Sequence, residues 1–176
     1  LADTGRFNEA HTHIKQAIEL DPFSIQYRKS VAYILFLASQ YDEAIAEYQA
    51  AIQINGKFSD LHLALGRTYL AIEDYTNAID EFIQANALNP SDPLPDTYIA
   101  RAYVKIGEYA KAIQYAQQAV TNNPSDPFMY GNLGSMLYRN QNYSEAIIAL
   151  RIAIRGGTTE DGTIVKGLPL DYTMRV

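Results

Sequence analysis

The side chains that could carry chemistry in this chain are few: His11, His13 and His62, and neighbouring acids at Asp42-Glu43, Glu73-Asp74 and Asp80-Glu81. Residues two apart on a helix point in different directions, so His11 and His13 do not converge on one ion, and no third ligand completes a set. Paired carboxylates do general acid-base work when a pocket drives their pKa values apart. These pairs fall at or near the trailing helices, so solvated faces and helix starts that complement the dipole are the expectation. The chain has no cysteine, and no nucleophile elbow, phosphate-cradling glycine loop or HExxH spacing occurs. It therefore does not read as an enzyme, and neither a cofactor nor a metal is expected.

What positions these residues is a repeat. Residues 59–92 read as two amphipathic helices joined by a tight turn, with Leu65, Gly66 and Tyr69 in the first, Tyr75, Ala78, Phe82 and Ala85 striping the second, and Pro90 ending it. Steps of 34 residues from Ala78 reach Ala10, Ala44, Ala112 and Ala146, and the same steps from Ala85 reach Ala17, Ala51, Ala119 and Ala153. The register predicts four complete units over 25–160, preceded over 1–24 by the trailing helix of a truncated repeat with Phe7, Ala10, Ile14, Ala17 and Ile18 on one face. Residues 161–176 are expected to form a loop or hairpin around Thr163-Ile164-Val165, with Asp171 placed to cap a further leading helix.

Local chemistry sharpens the units. Asp92-Pro93 and Asp126-Pro127 place a capping acid before a first-turn proline, although Pro95 suggests that the former helix starts only after Asp96. Gly56 and Gly156-Gly157 are expected to end helices by taking the left-handed conformation. Close helix crossings need small residues, so Ala32, Gly66, Ala100 and Gly134 are expected to face Ala44, Ala78, Ala112 and Ala146. Recurrence of Tyr41, Tyr75, Tyr109 and Tyr143 at the same step marks them as packing residues.

Composition bounds the partners. A net charge of −6 over 176 residues argues against nucleic acid as a general partner. No apolar run approaches the roughly 20 residues of a membrane span. The cations are placed regularly: Arg67 and Arg101 share a position in successive leading helices, equivalent to Tyr33 and Ser135, and Lys105 and Arg139 share another.

The units resemble the tetratricopeptide repeat (TPR), most fully as Tyr130, Leu133-Gly134, Leu137, Tyr143, Ala146, Leu150 and Ala153. Departures are the absence of tryptophan and the presence of Gly56 and Thr158 where proline is usual. The resemblance implies an all-α fold, a right-handed superhelical solenoid of helix-turn-helix units. Its concave face, lined by leading helices, would receive a peptide or partner segment, which makes the chain a protein-protein interaction scaffold. Carrying over the family's groove positions puts Lys29, Tyr33, Arg67, Arg101, Lys105, Ser135, Tyr138 and Arg139 on or near that face, with Asp60 as an opposing charge and Gly131 where Lys29 would recur. An acidic peptide is the partner those cations favour. The family's carboxylate clamp uses lysine and asparagine in its first positions; Lys29 matches and Tyr33 does not. Two alternatives stand beside this: the targeting arm of a larger enzyme, such as a TPR-containing glycosyltransferase, and a structural module that self-assembles through its ends. At those ends Phe7, Ile14 and Ile18, and Ile147, Ile148 and Ile154, lack a neighbouring repeat, and Leu168, Leu170 and Tyr172 are expected to cover part of the last helix.

Overall fold

The computed structural model describes residues 21–159 and 162–167. The helix expected near the start of the chain, His11, His13, Leu168, Leu170, Asp171 and Tyr172 lie outside the described residues. The chain divides into two compact units, Leu1–Asn89 and Pro90–Val176. In the first, α1 (Ile25–Leu37) pairs with α2 (Tyr41–Ile54), α3 (Ser59–Ala71) pairs with α4 (Tyr75–Leu88), and α3 also packs on α2. In the second, α5 (Pro93–Lys105) pairs with α6 (Tyr109–Asn122), and α7 (Pro127–Arg139) pairs with α8 (Tyr143–Arg155) and packs on α6. A two-stranded antiparallel hairpin follows, β1 (Gly156–Thr158) with β2 (Ile164–Lys166), and Val165 buries against Tyr130 and Ala153.

Side-chain caps start four of these helices. Asp74 accepts from the Asn77 N–H at 3.2 Å, while Asp92 and Asp126 accept from the Leu94 and Phe128 N–H groups at 2.9 Å each, and Ser24 caps α1. Because Asp92 caps α5, the helix starts at Pro93 rather than after Asp96. Pro95 then falls within the first turn, where its missing N–H had no helical partner to lose. The expected left-handed Gly56 is also corrected. Helix α2 ends on an extended Asn55 at φ −158°, its Oδ1 accepting from the Lys57 N–H at 3.0 Å, and Gly56 keeps out of the left-handed region.

The left-handed conformation is used elsewhere, once in every turn between a leading and a trailing helix. Ser39 (φ 61°), Glu73 (φ 61°), Gly107 (φ 82°) and Gln141 (φ 64°) occupy it at 34-residue intervals. Each turn closes with a 2.9 Å bond from the following N–H back to the helix: Gln40 to Leu35, Asp74 to Tyr69, Glu108 to Tyr103 and Asn142 to Leu137. This is the six-to-one bond of a Schellman ending, whose left-handed residue is ordinarily glycine. A side chain there costs about 1–2 kcal/mol, against the ~0.5–1 kcal/mol that glycine's extra unfolded-state freedom returns. Ser39→Gly, Glu73→Gly and Gln141→Gly are each expected to raise stability by about 0.5–1 kcal/mol, read as a higher denaturant midpoint at unchanged slope.

Within each unit the core is built from contacts between neighbouring helices, as a repeat requires. Ala32, Tyr48, Ala51, Leu61 and Leu65 join α1, α2 and α3, and Ala100, Ala112, Ala116 and Met136 join α5, α6 and α7. Ala100 and Ala112 meet in one buried cluster as expected, whereas a larger side chain comes over each crossing glycine. A Cβ built on Gly66 would lie 2.6 Å from Cε1 of Phe82, and one on Gly134 would lie 2.6 Å from Cγ of Leu150. The glycines are thus filled by a large side chain from the trailing helix, one turn beyond Ala78 and Ala146, which gives a knob seated in a missing side chain.

Candidate functional site

In the first unit, α1 and α3 carry the candidate groove residues. The Arg67 guanidinium stands over the Phe36 ring, 5.8 Å from its centroid, and lines a small pocket of about 30 Å³ with Tyr33, Tyr48 and Ala64. Burial pushes the Tyr48 hydroxyl up to about 12, against the opposing pull of Arg67, so it stays a neutral donor beside that cation. Lys29 is differently placed: its ammonium pairs with Asp60 across α1 and α3. The charge foreseen as opposing the ligand is therefore the partner of the first groove lysine.

In the second unit, Arg101 and Lys105 lie four residues apart on α5, and Ser135 and Arg139 lie four apart on α7, so each pair shares a helix face. Arg101 stacks over Tyr98 at 5.6 Å. The Ser135 hydroxyl donates to the Gly131 carbonyl at 2.9 Å, which points it back along its own helix. Tyr138 is 63% exposed and meets Tyr143 edge-on at 5.6 Å. Among the described residues no carboxylate pairs with Arg67, Arg101, Lys105 or Arg139, whereas Arg28, Lys29 and Lys111 each have one.

A second set of polar residues keeps the same register, a relation that the sequence reading does not draw. Positions 28, 62, 96 and 130 of the leading helices hold Arg28, His62, Asp96 and Tyr130. Opposite them, positions 47, 81, 115 and 149 hold Glu47, Glu81, Tyr115 and Ala149. Arg28 Nη1 donates to Glu47 at 2.8 Å. His62 places Nδ1 at 2.7 Å from Glu81 and Nε2 at 3.0 Å from the Gly56 carbonyl, so that each ring nitrogen faces an oxygen. Asp96 is wholly buried and accepts from Asn122 Nδ2 at 3.0 Å. Burial, with Asp92 adding like charge, pushes its carboxyl up to about 6. These bonds join the two helices of a pair; each is a device of packing. The signal that could have found them was a polar residue recurring at the repeat step on an otherwise apolar face. Among the described residues no cluster of three or more His, Cys, Asp or Glu could hold a metal ion, and no helix is long and apolar enough to cross a membrane.

Helix-turn-helix pairs in constant register, joined by identical turns, define an all-α helical-repeat protein of the solenoid class. Family profiles for the tetratricopeptide repeat match residues 97–161 and 59–92, and one for the TPR repeat matches 32–73. The chain belongs to the tetratricopeptide repeat family. No match was found among curated proteins. Solved structures that it resembles include a crystal structure of MamA (19% identity, 85% of this chain and 88% of that one, TM-score 0.77). PilF of Pseudomonas aeruginosa is similar over 84% of this chain and 68% of its own, at 18% identity and a TM-score of 0.72. YrrB, a TPR protein with an unusual peptide-binding site, is similar over 85% and 77%, at 18% identity and a TM-score of 0.68. At such identities the likeness shows the fold. Family and fold together support a protein-interaction scaffold and point to an interaction module.

Proposed function

We propose that the chain binds an acidic peptide segment, or a peptide C-terminus, on the exposed faces of its leading helices. The observation that carries this reading is a recurrence: Arg67, Arg101, Lys105 and Arg139 stand at repeating positions of the leading helices without a carboxylate partner among the described residues, whereas Arg28 and Lys29 on α1 are paired. Arg67 and Arg101 are also held over aromatic rings, which lowers the entropy lost when they meet a carboxylate. A guanidinium presents two parallel N–H groups to a carboxylate, so these positions favour bidentate contact. Lys29 contributes only where the incoming acid displaces Asp60, which makes it a weaker grip than the family's clamp lysine. Tyr33 and Tyr138 offer aromatic surface beside the cations, and Ser135 adds a hydroxyl.

The test is titration of a fluorescent poly-glutamate peptide and of a matched poly-glutamine control at increasing salt. The acidic peptide is expected to bind, to weaken as salt screens the charges, and to lose at least tenfold in affinity when Arg67→Ala and Arg101→Ala are combined, one cation from each unit. Equal binding of both peptides, indifferent to salt and to the double change, overturns the reading.

A self-assembling module is the second reading. Ile147, Ile148 and Ile154 on α8 are 57%, 60% and 50% exposed, an apolar face without a following repeat among the described residues. Sedimentation over a range of concentrations separates the two: a mass that rises with concentration and falls back in Ile147→Lys favours self-assembly.

A further inference from the structure

The second unit contains a cleft. It has a volume of about 540 Å³ and lies between α6 and α8 over α7, walled by Val120, Tyr130, Leu137, Ile148, Ala149 and Ile152, with Glu145 on its rim. Tyr130, Leu133 and Leu137 line it, while Ser135 and Arg139 fall on the other side of the same helix by their 3.6-residue spacing, so the cleft is separate from the proposed acidic-peptide surface.

The preceding repeat shows one way in which this space can be filled. One repeat earlier, the positions of Leu137 and Ala149 are held by Tyr103 and Tyr115, whose rings stack at 5.7 Å and 23°. Over that stack sits Lys111, its ammonium 5.4 Å from the Tyr103 ring. In the last repeat, both aromatic rings are gone and the rim lysine has become Glu145. The last repeat therefore lacks the aromatic pair that fills this place in the third, and carries an anion where the third carries a cation; the first repeat likewise has Leu35 and Glu43 at the positions of Leu137 and Glu145.

We propose that this cleft is a binding site for a protein partner that inserts an aromatic side chain, tyrosine or phenylalanine, with a lysine or arginine beside it. The ring takes the place that Tyr115 fills in the preceding repeat, against Leu137, Ile148 and Ile152. The cation restores at Glu145 the opposite-charge rim, its aliphatic stem lying along the apolar wall. A volume of this size falls within the ~300–1,000 Å³ of ligand clefts and admits a ring together with such a stem. Asn142 Nδ2 donates to Glu145 Oε2 at 2.9 Å, which holds the carboxylate in place while leaving its second oxygen for the incoming cation.

The experiment uses the blocked peptide acetyl-Lys-Tyr-Lys-amide, with acetyl-Lys-Ala-Lys-amide and acetyl-Glu-Tyr-Glu-amide as controls, and reads the methyl resonances of Ala149, Ile148 and Ile152 by NMR. The Lys-Tyr-Lys peptide is expected to shift these methyls saturably, and the alanine peptide to leave them unmoved. Ala149→Tyr supplies the ring from within, and is expected to weaken the peptide at least tenfold while its unfolding midpoint stays at or above the parent's. Glu145→Lys is expected to reverse the preference between Lys-Tyr-Lys and Glu-Tyr-Glu, and it carries the test if Ala149→Tyr does not fold. Absence of saturable shifts, equal shifts from the alanine peptide, or affinity unchanged by both variants overturns the proposal. So does a contact from one of the chain's own tyrosines to Ala149, or a concentration-dependent mass that Ala149→Tyr abolishes, since each names a different occupant.

Discussion

Phe82→Ala is expected to cost about 3–5 kcal/mol, the largest single loss foreseen in the first unit, because the ring is fully buried and packs over Gly66. Gly66→Ala is expected to cost about 1–3 kcal/mol although alanine favours helices over glycine by ~1 kcal/mol, since its Cβ would sit 2.6 Å from the Phe82 ring, well inside van der Waals contact. The two changes are expected to compensate. With the ring removed, the added methyl has room and fills part of the cavity, so the double variant should lie closer to the parent than the sum of the singles, by 1 kcal/mol or more. Denaturant unfolding of the four proteins closes the cycle. Strict additivity would show that the glycine and the ring do not share their space.

The second large effect is a dependence on pH centred on Asp96. Burial raises this carboxyl from 3.8 to about 6, with Asp92 as a further contribution and Asn122 and Tyr115 facing it from α6. Its folded form binds the proton more tightly than its unfolded form. Below about 3.8 the group is protonated in both states and has no influence; as pH rises toward about 6 the unfolded chain releases its proton first, and stability falls. Above that range the full penalty stands, about 3 kcal/mol for roughly two pKa units. Asp96→Asn keeps the shape and an oxygen for the Asn122 amide but cannot ionise. It is expected to remove this slope, so the stability difference between variant and parent should grow in the variant's favour between about pH 4 and pH 6 and stay constant beyond it. A difference that does not vary with pH would mean that Asp96 titrates normally in the fold.

The repeat itself was legible in the sequence because it is written in sterics: Ala44, Ala78, Ala112 and Ala146 lie where helices approach, and all four are buried. The finer packing was less legible. Gly66 and Gly134 were recognised as crossing points, but whether the space above them is taken by an alanine or by Phe82 and Leu150 depends on the turn of the helix that meets them. The cations of the leading helices were readable by type and position, and what they pair with was not. Lys29 and Asp60 lie 31 residues apart, and only the packing of α1 beside α3 joins them. The shared register of Arg28, His62 and Asp96 was not legible because each position holds a different residue type, and Asp96 bonds to Asn122 rather than to the residue at the step of Glu47 and Glu81. The left-handed turn was not legible either, since three of its four occupants are not glycine.

That turn bears on how readily the protein tolerates change. Ser39, Glu73 and Gln141 are held in a conformation that disfavours a side chain, and each could be relieved by one glycine without disturbing the helices on either side. A fold with such relief in hand lies below its stability ceiling, and the three sites lie in separate turns, so their gains can be drawn on one at a time. Alterations to the binding surfaces that carry a modest stability cost, such as exchanges around the cleft or among the groove arginines, could then be retained after a glycine replacement where alone they would be lost. The same turns also mark where substitution is least free: a β-branched side chain or a proline at 39, 73, 107 or 141 has no route to the required backbone angles.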